Sequence, residues 1–449
     1  MSISALKILK VLVLSAIVFL IATLFVTDQK AFLVSFIVLM VGLWTNNGLP
    51  LGVVALFPII LFPSTNILTT QSVTSNYANP IIFLFLGGFL VAIAVEKSDL
   101  HRWLAAKVLH LFPSSSAGII YSLIFTAGLL SSVLSNTTTA LLLLPVALFL
   151  TKDNRLKLRF ALSIAYGSSI GGILTPIGTP PNLILLGFMQ EQGLETINFM
   201  HWLMMTAPLV LLMSLLLGFV LSLGVDKKIT ESPLIMPDLN KNQKKVLGLI
   251  GSLIIVLLLN APMGSYYSGL GFNETGILLT AGLLLFMPPF SILNWQDDII
   301  KIPFQIIFLF GAGFAIANAF IETGMAKDIA TQLTILVSLP VILFMLLLAA
   351  LITFTTEVTS NTALISIMLP IVYEVAMASG LNPALFMMVA TICASYAFML
   401  PIATPPNAIV MSTGVVSIKT MALYGLILNL SGILIIVSIA NVFWKNILL

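Results

Sequence analysis

Charge is what this sequence has least of. Only 8% of its 449 residues are Asp, Glu, Lys or Arg, whereas 59% are hydrophobic. An ordinary soluble domain carries roughly 25% charged residues. No soluble core hides so much apolar side chain, so the solvent for most of this chain is lipid. A single cysteine, Cys393, excludes an internal disulfide and a Cys metal cluster. The three histidines, His101, His110 and His201, lie outside the centres of the long apolar runs. An intramembrane enzyme would need a nucleophile with a base, or a metal site, at depth, and the chain offers neither. The net charge of +3 is small and gives no reason to expect a nucleic-acid partner.

What the chain does have is apolar runs of spanning length, roughly 20 residues each. They predict helix 1 at about 7–27, helix 2 at 30–44, helix 3 at 50–62, a polar loop over 63–79 and helix 4 at 80–96. Lys7 and Lys10 precede the first run with no small-residue cleavage site after it, so a retained signal-anchor is expected. A charged amphipathic stretch with Glu96, Lys97, Asp99, Arg102 and Lys107 follows helix 4. Residues 114–150 are apolar but interrupted by Ser131-Ser132 and by Ser135-Asn136-Thr137. Two half-helices of about 16 residues would rise roughly 24 Å each, enough to reach the midplane and return. A re-entrant hairpin with that tripeptide at its tip is expected, and such a break is tolerated at depth only inside protein or a polar cavity.

Helix 5, about 160–189, is broken by Thr175-Pro176-Ile177-Gly178-Thr179-Pro180-Pro181-Asn182. Prolines stop its first half and suit the first turn of its second, with Thr179 expected as N-cap. Helix 6 covers about 201–224. The same features then return 225 residues later: Thr137 with Thr362, Pro145 with Pro370, Pro176 with Pro401, Pro181 with Pro406 and Asn182 with Asn407. Phe83-Leu84-Phe85 and Phe308-Leu309-Phe310 match at the same offset, as do Gly88-Phe89 and Gly313-Phe314. So many pairs in register, without a gap, amount to a duplication. The second copy holds helices 7 (about 244–260), 8 (273–288) and 9 (303–322), then a hairpin (338–376) with Ser360-Asn361-Thr362 at its tip. Helix 10 (383–413) is broken at Ala403-Thr404-Pro405-Pro406-Asn407, and helix 11 covers 421–445.

The chain thus divides into an N-terminal helix (1–29), a first repeat (30–225), a cytoplasmic linker (226–243) and a second repeat (244–449). The fold class is an all-α polytopic membrane protein with about 11 transmembrane helices and two re-entrant hairpins. Five crossings per repeat is an odd number, so the copies are expected to be inverted. With a cytoplasmic N-terminus, 16 of the 19 basic residues fall inside, Lys227 and Lys228 among them, and only Lys30, Lys327 and Lys445 fall outside. That bias obeys the positive-inside rule.

Inverted repeats, broken helices and paired polar motifs at depth form the pattern of a secondary transporter. Four helix N-termini converge, each favouring an anion through free N–H groups and its dipole. The ends of the incoming half-helices offer carbonyls that suit Na⁺. No Lys or Arg lies near the breaks, so bound cations are the economical source of positive charge, and coupling follows by linkage. A structural reading of one Ser-Asn-Thr as polar glue between helices is ordinary; the repeated pair makes it a weak one. Glu357, three residues before Ser360, is a functional candidate as an intramembrane carboxylate. A structural partner in a helix-end donor weighs at least equally, so it stays outside the first-rank site. A channel is the third reading, which strict saturation and stoichiometric counter-movement of Na⁺ and substrate would exclude.

These motifs resemble the divalent anion:sodium symporters, the dicarboxylate, citrate and sulfate carriers of the INDY type. Leu86-Gly87-Gly88-Phe89 through Glu96-Lys97 is similar to that family's fourth helix, and the resemblance covers nearly everything from helix 2 onward. It implies a homodimer in the cell (inner) membrane working by an elevator mechanism. Helices 1–4 and 7–9 would form the scaffold, and the hairpins with helices 5, 6, 10 and 11 the moving domain. It further implies one Na⁺ site at Ser131, Ser135, Asn136 and Gly178 and another at Thr356, Thr359, Asn361 and Ala403. Substrate would meet Ser135, Asn136, Thr137, Ser360, Asn361, Thr362, Thr404 and Pro405. Thr359 faces Leu134 across the internal symmetry, so the cation sites need not be equivalent. The expected activity is Na⁺-coupled symport of a C4-dicarboxylate, with Na⁺ co-transported rather than resident. Sulfate or citrate symport, or Na⁺-independent exchange, are the alternatives.

Overall fold

The computed structural model describes residues 3–46, 48–113, 115–225, 238–262, 267–332 and 339–448. Most of the linker expected at 226–243, including Lys227 and Lys228, lies outside the described residues, as do the expected first residues of the two hairpins, at 114 and 338. Among the described residues the chain is helical, with no strand, and eight helices are long and apolar enough to cross a membrane. It is a polytopic membrane protein.

The first elements are α1 (Ile3–Ala22), α2 (Asp28–Asn46), α3 (Leu51–Val54), α4 (Phe57–Ser64), α5 (Thr70–Asn76), α6 (Pro80–Lys97) and α7 (Leu100–Leu111). Two sequence expectations are corrected here. Helix 3 is two pieces, because Pro58 fixes a new helical start just after the first segment ends. The polar loop 63–79 contains a helix, started by Thr69, whose hydroxyl accepts the Ser72 amide at 3.1 Å.

Next come α8 (Ser116–Ser131), α9 (Asn136–Phe149), α10 (Asn154–Gly172), α11 (Pro180–Glu191) and α12 (Phe199–Ser222). The second half opens with α13 (Lys241–Asn260), α14 (Glu274–Leu284), α15 (Trp295–Asp298), α16 (Phe304–Glu322) and α17 (Met325–Gln332). After them lie α18 (Val341–Thr356), α19 (Asn361–Ala378), α20 (Pro383–Ala394), α21 (Pro405–Ser412) and α22 (Ile418–Ile439). The duplication is visible in the boundaries. Both ends of α8 and α18, and the first residues of α9 and α19 and of α11 and α21, stand 225 apart. Helix α17, absent from the sequence reading, begins 225 residues after α7 would by the same register, its strong amphipathy hidden by its brevity.

Glycines set the closest crossings. A Cβ at Gly87 would lie 2.4 Å from the Leu278 carbonyl carbon, so α6 and α14 meet backbone to backbone. A Cβ at Gly171 would lie 2.1 Å from Gly128 Cα, which locks α8 against α10. The repeats also exchange partners: α9 packs on α21, and α11 packs on α19. Each broken helix therefore delivers its second half to the other repeat's hairpin. That crossing brings the two motifs into one region.

Most charged side chains lie outside the apolar spans. Asp298, between α15 and the following turn, pairs with Lys97 at 2.5 Å and Lys301 at 3.1 Å. Burial alone would raise its carboxyl, but the Asn294 amide and the two ammonium groups hold it below the usual range.

Candidate functional site

In the first repeat α8 ends at Ser131 and α9 begins at Asn136, with Ser135 as the capping residue: its hydroxyl accepts the Thr138 amide at 3.1 Å. Ser131 Oγ donates to Asn136 Oδ1 across the turn at 2.6 Å. Opposite lies the break between α10 and α11. A Cβ on Gly172 would meet Asn136 Oδ1 at 2.6 Å, and one on Gly178 would meet the Gly172 carbonyl oxygen at 2.3 Å. Only glycine lets those backbones close around the asparagine. Thr175 Oγ1 donates to the Ser132 carbonyl at 2.5 Å, which ties break to hairpin tip.

The second repeat keeps the hydroxyl–asparagine pair, with Ala397 and Ala403 at the positions of Gly172 and Gly178. Thr356 Oγ1 lies 2.9 Å from Asn361 Oδ1 and 2.9 Å from the Ala394 carbonyl oxygen. One hydroxyl proton serves only one of these acceptors, so three oxygens gather at the end of α20. Asn182 Nδ2 donates to the Gly172 and Thr175 carbonyls, at 3.4 and 2.9 Å. Asn407 Nδ2 donates to the Ala397 and Leu400 carbonyls, both at 3.0 Å. All four acceptors and both donors match at the 225-residue offset. These two asparagines bridge the broken backbone from inside, holding carbonyls that a continuous helix would have satisfied. The sequence reading noted the pair without giving it a role.

Of the anticipated residues, Ser131, Asn136 and Gly178 cluster in the first repeat around Gly172. Thr356 and Asn361 cluster in the second. Thr359 instead donates to the Thr355 carbonyl within its own turn at 2.9 Å. Ser360 occupies the N-cap of α19 without a capping hydrogen bond, unlike Ser135. Thr137 is half-buried and Thr362 buried on the opening turns of α9 and α19. Ala403 and Thr404 are buried beside the exposed Pro405, and Thr404 Oγ1 accepts the Asn407 amide at 3.4 Å. Thr179 is a correction: it sits at the N-cap of α11, yet its side chain makes no capping hydrogen bond.

Further contacts enter that the sequence did not mark. Trp202 Nε1 donates to the Ile173 carbonyl at 3.0 Å, and Thr206 Oγ1 to the Leu174 carbonyl at 3.0 Å. In the second repeat Glu357 accepts the Met399 and Leu400 amides at 2.9 Å each and Asn429 Nδ2 at 2.7 Å. Each of these partners is distant in sequence, and no short motif joins them. Chemically, the clusters present hydroxyl, amide and carbonyl oxygens, the donor set of a hard cation. The opening turns of α9, α11, α19 and α21 present N–H groups beside them, which suit carboxylates. No Lys or Arg occurs in 108–151, 160–226 or 328–418.

The citrate transporter (CitMHS) family model matches residues 36–391, most of the chain. The chain belongs to this transporter family, the divalent anion:sodium symporters. A relative from Staphylococcus saprophyticus, the sodium-dependent dicarboxylate transporter SdcS, is 31% identical over 92% of this chain and 86% of its own length. Its Staphylococcus aureus (strain USA300) counterpart is 33% identical over 95% of this chain and 89% of its own length. Among solved structures, the YdaH transporter of Alcanivorax borkumensis aligns with a TM-score of 0.62 at 14% identity, covering 83% of this chain and 87% of that one. MtrF of Neisseria gonorrhoeae aligns at 0.61 and 13% identity, covering 86% of this chain and 85% of that one. At such identities the two structures speak for the fold of the symporter family member and for nothing more. Membership settles the broad class: the protein is a transporter, not an enzyme.

Proposed function

We propose that the protein is a Na⁺-coupled symporter of C4-dicarboxylates such as succinate, fumarate and malate. The observation that carries the reading is the packing of α9 on α21 and of α11 on α19, beside two oxygen clusters in segments devoid of Lys and Arg. An anion with two charges bound there needs positive charge from elsewhere, and co-bound Na⁺ supplies it. The relatives' name, sodium-dependent dicarboxylate transporter, agrees with this. One cation would meet Ser131, Ser135, Asn136 and Gly178; the other Thr356, Asn361 and Ala403, with Thr359 turned to Thr355 until it is drawn in. Substrate carboxylates would meet Ser135, Asn136, Thr137, Ser360, Asn361, Thr362, Thr404 and Pro405.

The mechanism we propose is of the elevator type. Both hairpins with α10–α12 and α20–α22 form the body that moves, as a homodimer in the cell membrane with a cytoplasmic N-terminus. The helices α1–α6 and α13–α16 stay as scaffold. Cation binding at the asparagines orders the two turns, and the ordered turns present their amides to the substrate. Citrate is the second reading, favoured by the description of the matching family. Uptake of labelled succinate into proteoliposomes, with unlabelled fumarate, citrate and sulfate as competitors, separates them. Succinate uptake unaffected by excess fumarate but abolished by citrate would overturn the C4 reading.

A further inference from the structure

The two cation clusters are not equal, and the difference is one buried charge. Position 132 of the first repeat is serine; its counterpart 225 residues on is Glu357, buried at 3% exposure. Both repeats tie the broken helix to the hairpin tip and to the helix that follows, but with opposite polarity. In the first, Thr175 and Trp202 donate to the carbonyls of Ser132 and Ile173, and the Thr206 hydroxyl, with one proton for two acceptors, lies 3.0 Å from the Leu174 carbonyl and 2.9 Å from that of Trp202. In the second, the Glu357 carboxylate accepts, and it occupies the amides of Met399 and Leu400. Among the described residues, the carbonyls of Phe398 and Met399, the counterparts of Ile173 and Leu174, receive no hydrogen bond. The second break is therefore richer in free oxygen.

Glu357 also lacks a counter-charge. Its hydrogen-bond partners are backbone amides and the side-chain amide of Asn429, all neutral. Every one donates to it, which is the bonding of an ionised carboxylate. Among the described residues it forms no salt bridge, and the nearest Lys or Arg in sequence stands at 327 or 419. Asn429 is itself fully buried and its Oδ1 has no partner among the described residues. A buried carboxylate without a positive neighbour is costly. It directly follows Thr356, whose hydroxyl gathers Asn361 Oδ1 and the Ala394 carbonyl. The missing positive charge has one natural position, and that is the cation cluster one residue away.

We propose that Glu357 makes the second-repeat cluster the tighter Na⁺ site, filled before the first-repeat cluster. This rests on the Na⁺-symport reading. Glu357 is a positioning residue: it touches neither cation nor substrate, and acts through its fixed charge and its hold on the α20–α21 break. In an effective dielectric of about 20, losing a unit charge beside the cluster lowers cation affinity by on the order of tenfold or more.

The test is Na⁺ titration of substrate-free purified protein, read as ²²Na⁺ binding and as Na⁺-dependent thermal stabilisation. Glu357→Gln should raise the half-saturating Na⁺ of the tighter phase roughly tenfold. Glu357→Asp, which keeps the charge, should stay within about threefold of wild type, a change too small for loss of a unit charge. Asn429→Ala, which removes a neutral donor and leaves the charge, should also stay within about threefold. A wild-type Na⁺ response in Glu357→Gln would overturn the proposal. A tenfold rise in Asn429→Ala would overturn it too, even if Glu357→Gln does not fold, because the response would then follow the hydrogen-bond tie. Absence of any Na⁺ response in the wild type would instead sink the symport reading.

Discussion

The asparagine bridges give a prediction whose size can be worked from the structure. Asn182 and Asn407 are equally buried and hold equivalent carbonyls, yet their geometry differs. Asn407 makes two bonds of 3.0 Å; Asn182 makes one of 2.9 Å and one of 3.4 Å, beyond the usual N–H···O range. Truncation to alanine leaves the acceptors buried and unpaired, at about 1–3 kcal/mol for each bond lost. Asn407→Ala loses two good bonds and should cost about 3–4 kcal/mol. Asn182→Ala loses one good bond and a marginal one, and should cost about 2 kcal/mol. The cavity term is shared, since the side chains and their burial are the same, so the difference isolates the hydrogen bonds. Unfolding free energies in mixed micelles read it directly. Equal costs, a larger cost at Asn182, or losses under about 0.5 kcal/mol at both sites would refute the bridging role.

Asn136→Ala and Asn361→Ala should each raise the half-saturating Na⁺ and weaken substrate binding together; an effect confined to one ligand in Na⁺ titrations of uptake would contradict the shared use of these amides. Gly171→Ala drives a methyl to 2.1 Å from Gly128 Cα and should destabilise by about 3 kcal/mol, whereas Gly128→Ala meets only contacts of 3.6 Å and should stay within about 1 kcal/mol; comparable unfolding costs would speak against the crossing described. The Glu191 carboxylate, on an exposed residue at the end of α11, accepts Asn79 Nδ2 at 3.0 Å, and partial loss of water on that side pushes it up to about 7. Its folded value lies above the ordinary 4.5, so its contribution is full below that pH and is lost as pH rises through 7. The melting temperature should therefore fall between pH 5 and 8 more in wild type than in Glu191→Gln, and parallel profiles would contradict it.

How much of this was legible in the sequence depends on distance along the chain. The repeat and the openings of α9, α11, α19 and α21 follow from Ser-Asn-Thr and Thr-Pro-Pro-Asn, because caps and prolines act within one turn. The same locality explains why α5 was read as a loop: its polar run Thr70–Asn76 lacks the apolar pattern that marks a span. The capping role of Thr179 failed because a cap needs a side-chain rotamer that residue type alone does not specify. Glu357 was visible as an anomaly, but its partners at 399, 400 and 429 belong to the break and to α22, which only packing brings together. Glycine spacing likewise hid the crossing of Gly128 and Gly171, residues in different helices. The paired motifs were thus readable as a repeat, while the inequality between the two clusters was not.

The measurement that bears most directly on the account is uptake of labelled succinate into proteoliposomes across a Na⁺ titration, with choline or K⁺ holding ionic strength constant. Symport predicts uptake that rises sigmoidally with Na⁺ and vanishes when Na⁺ is replaced. Uptake unchanged by the replacement would contradict Na⁺ coupling and point to exchange or proton coupling on the same fold.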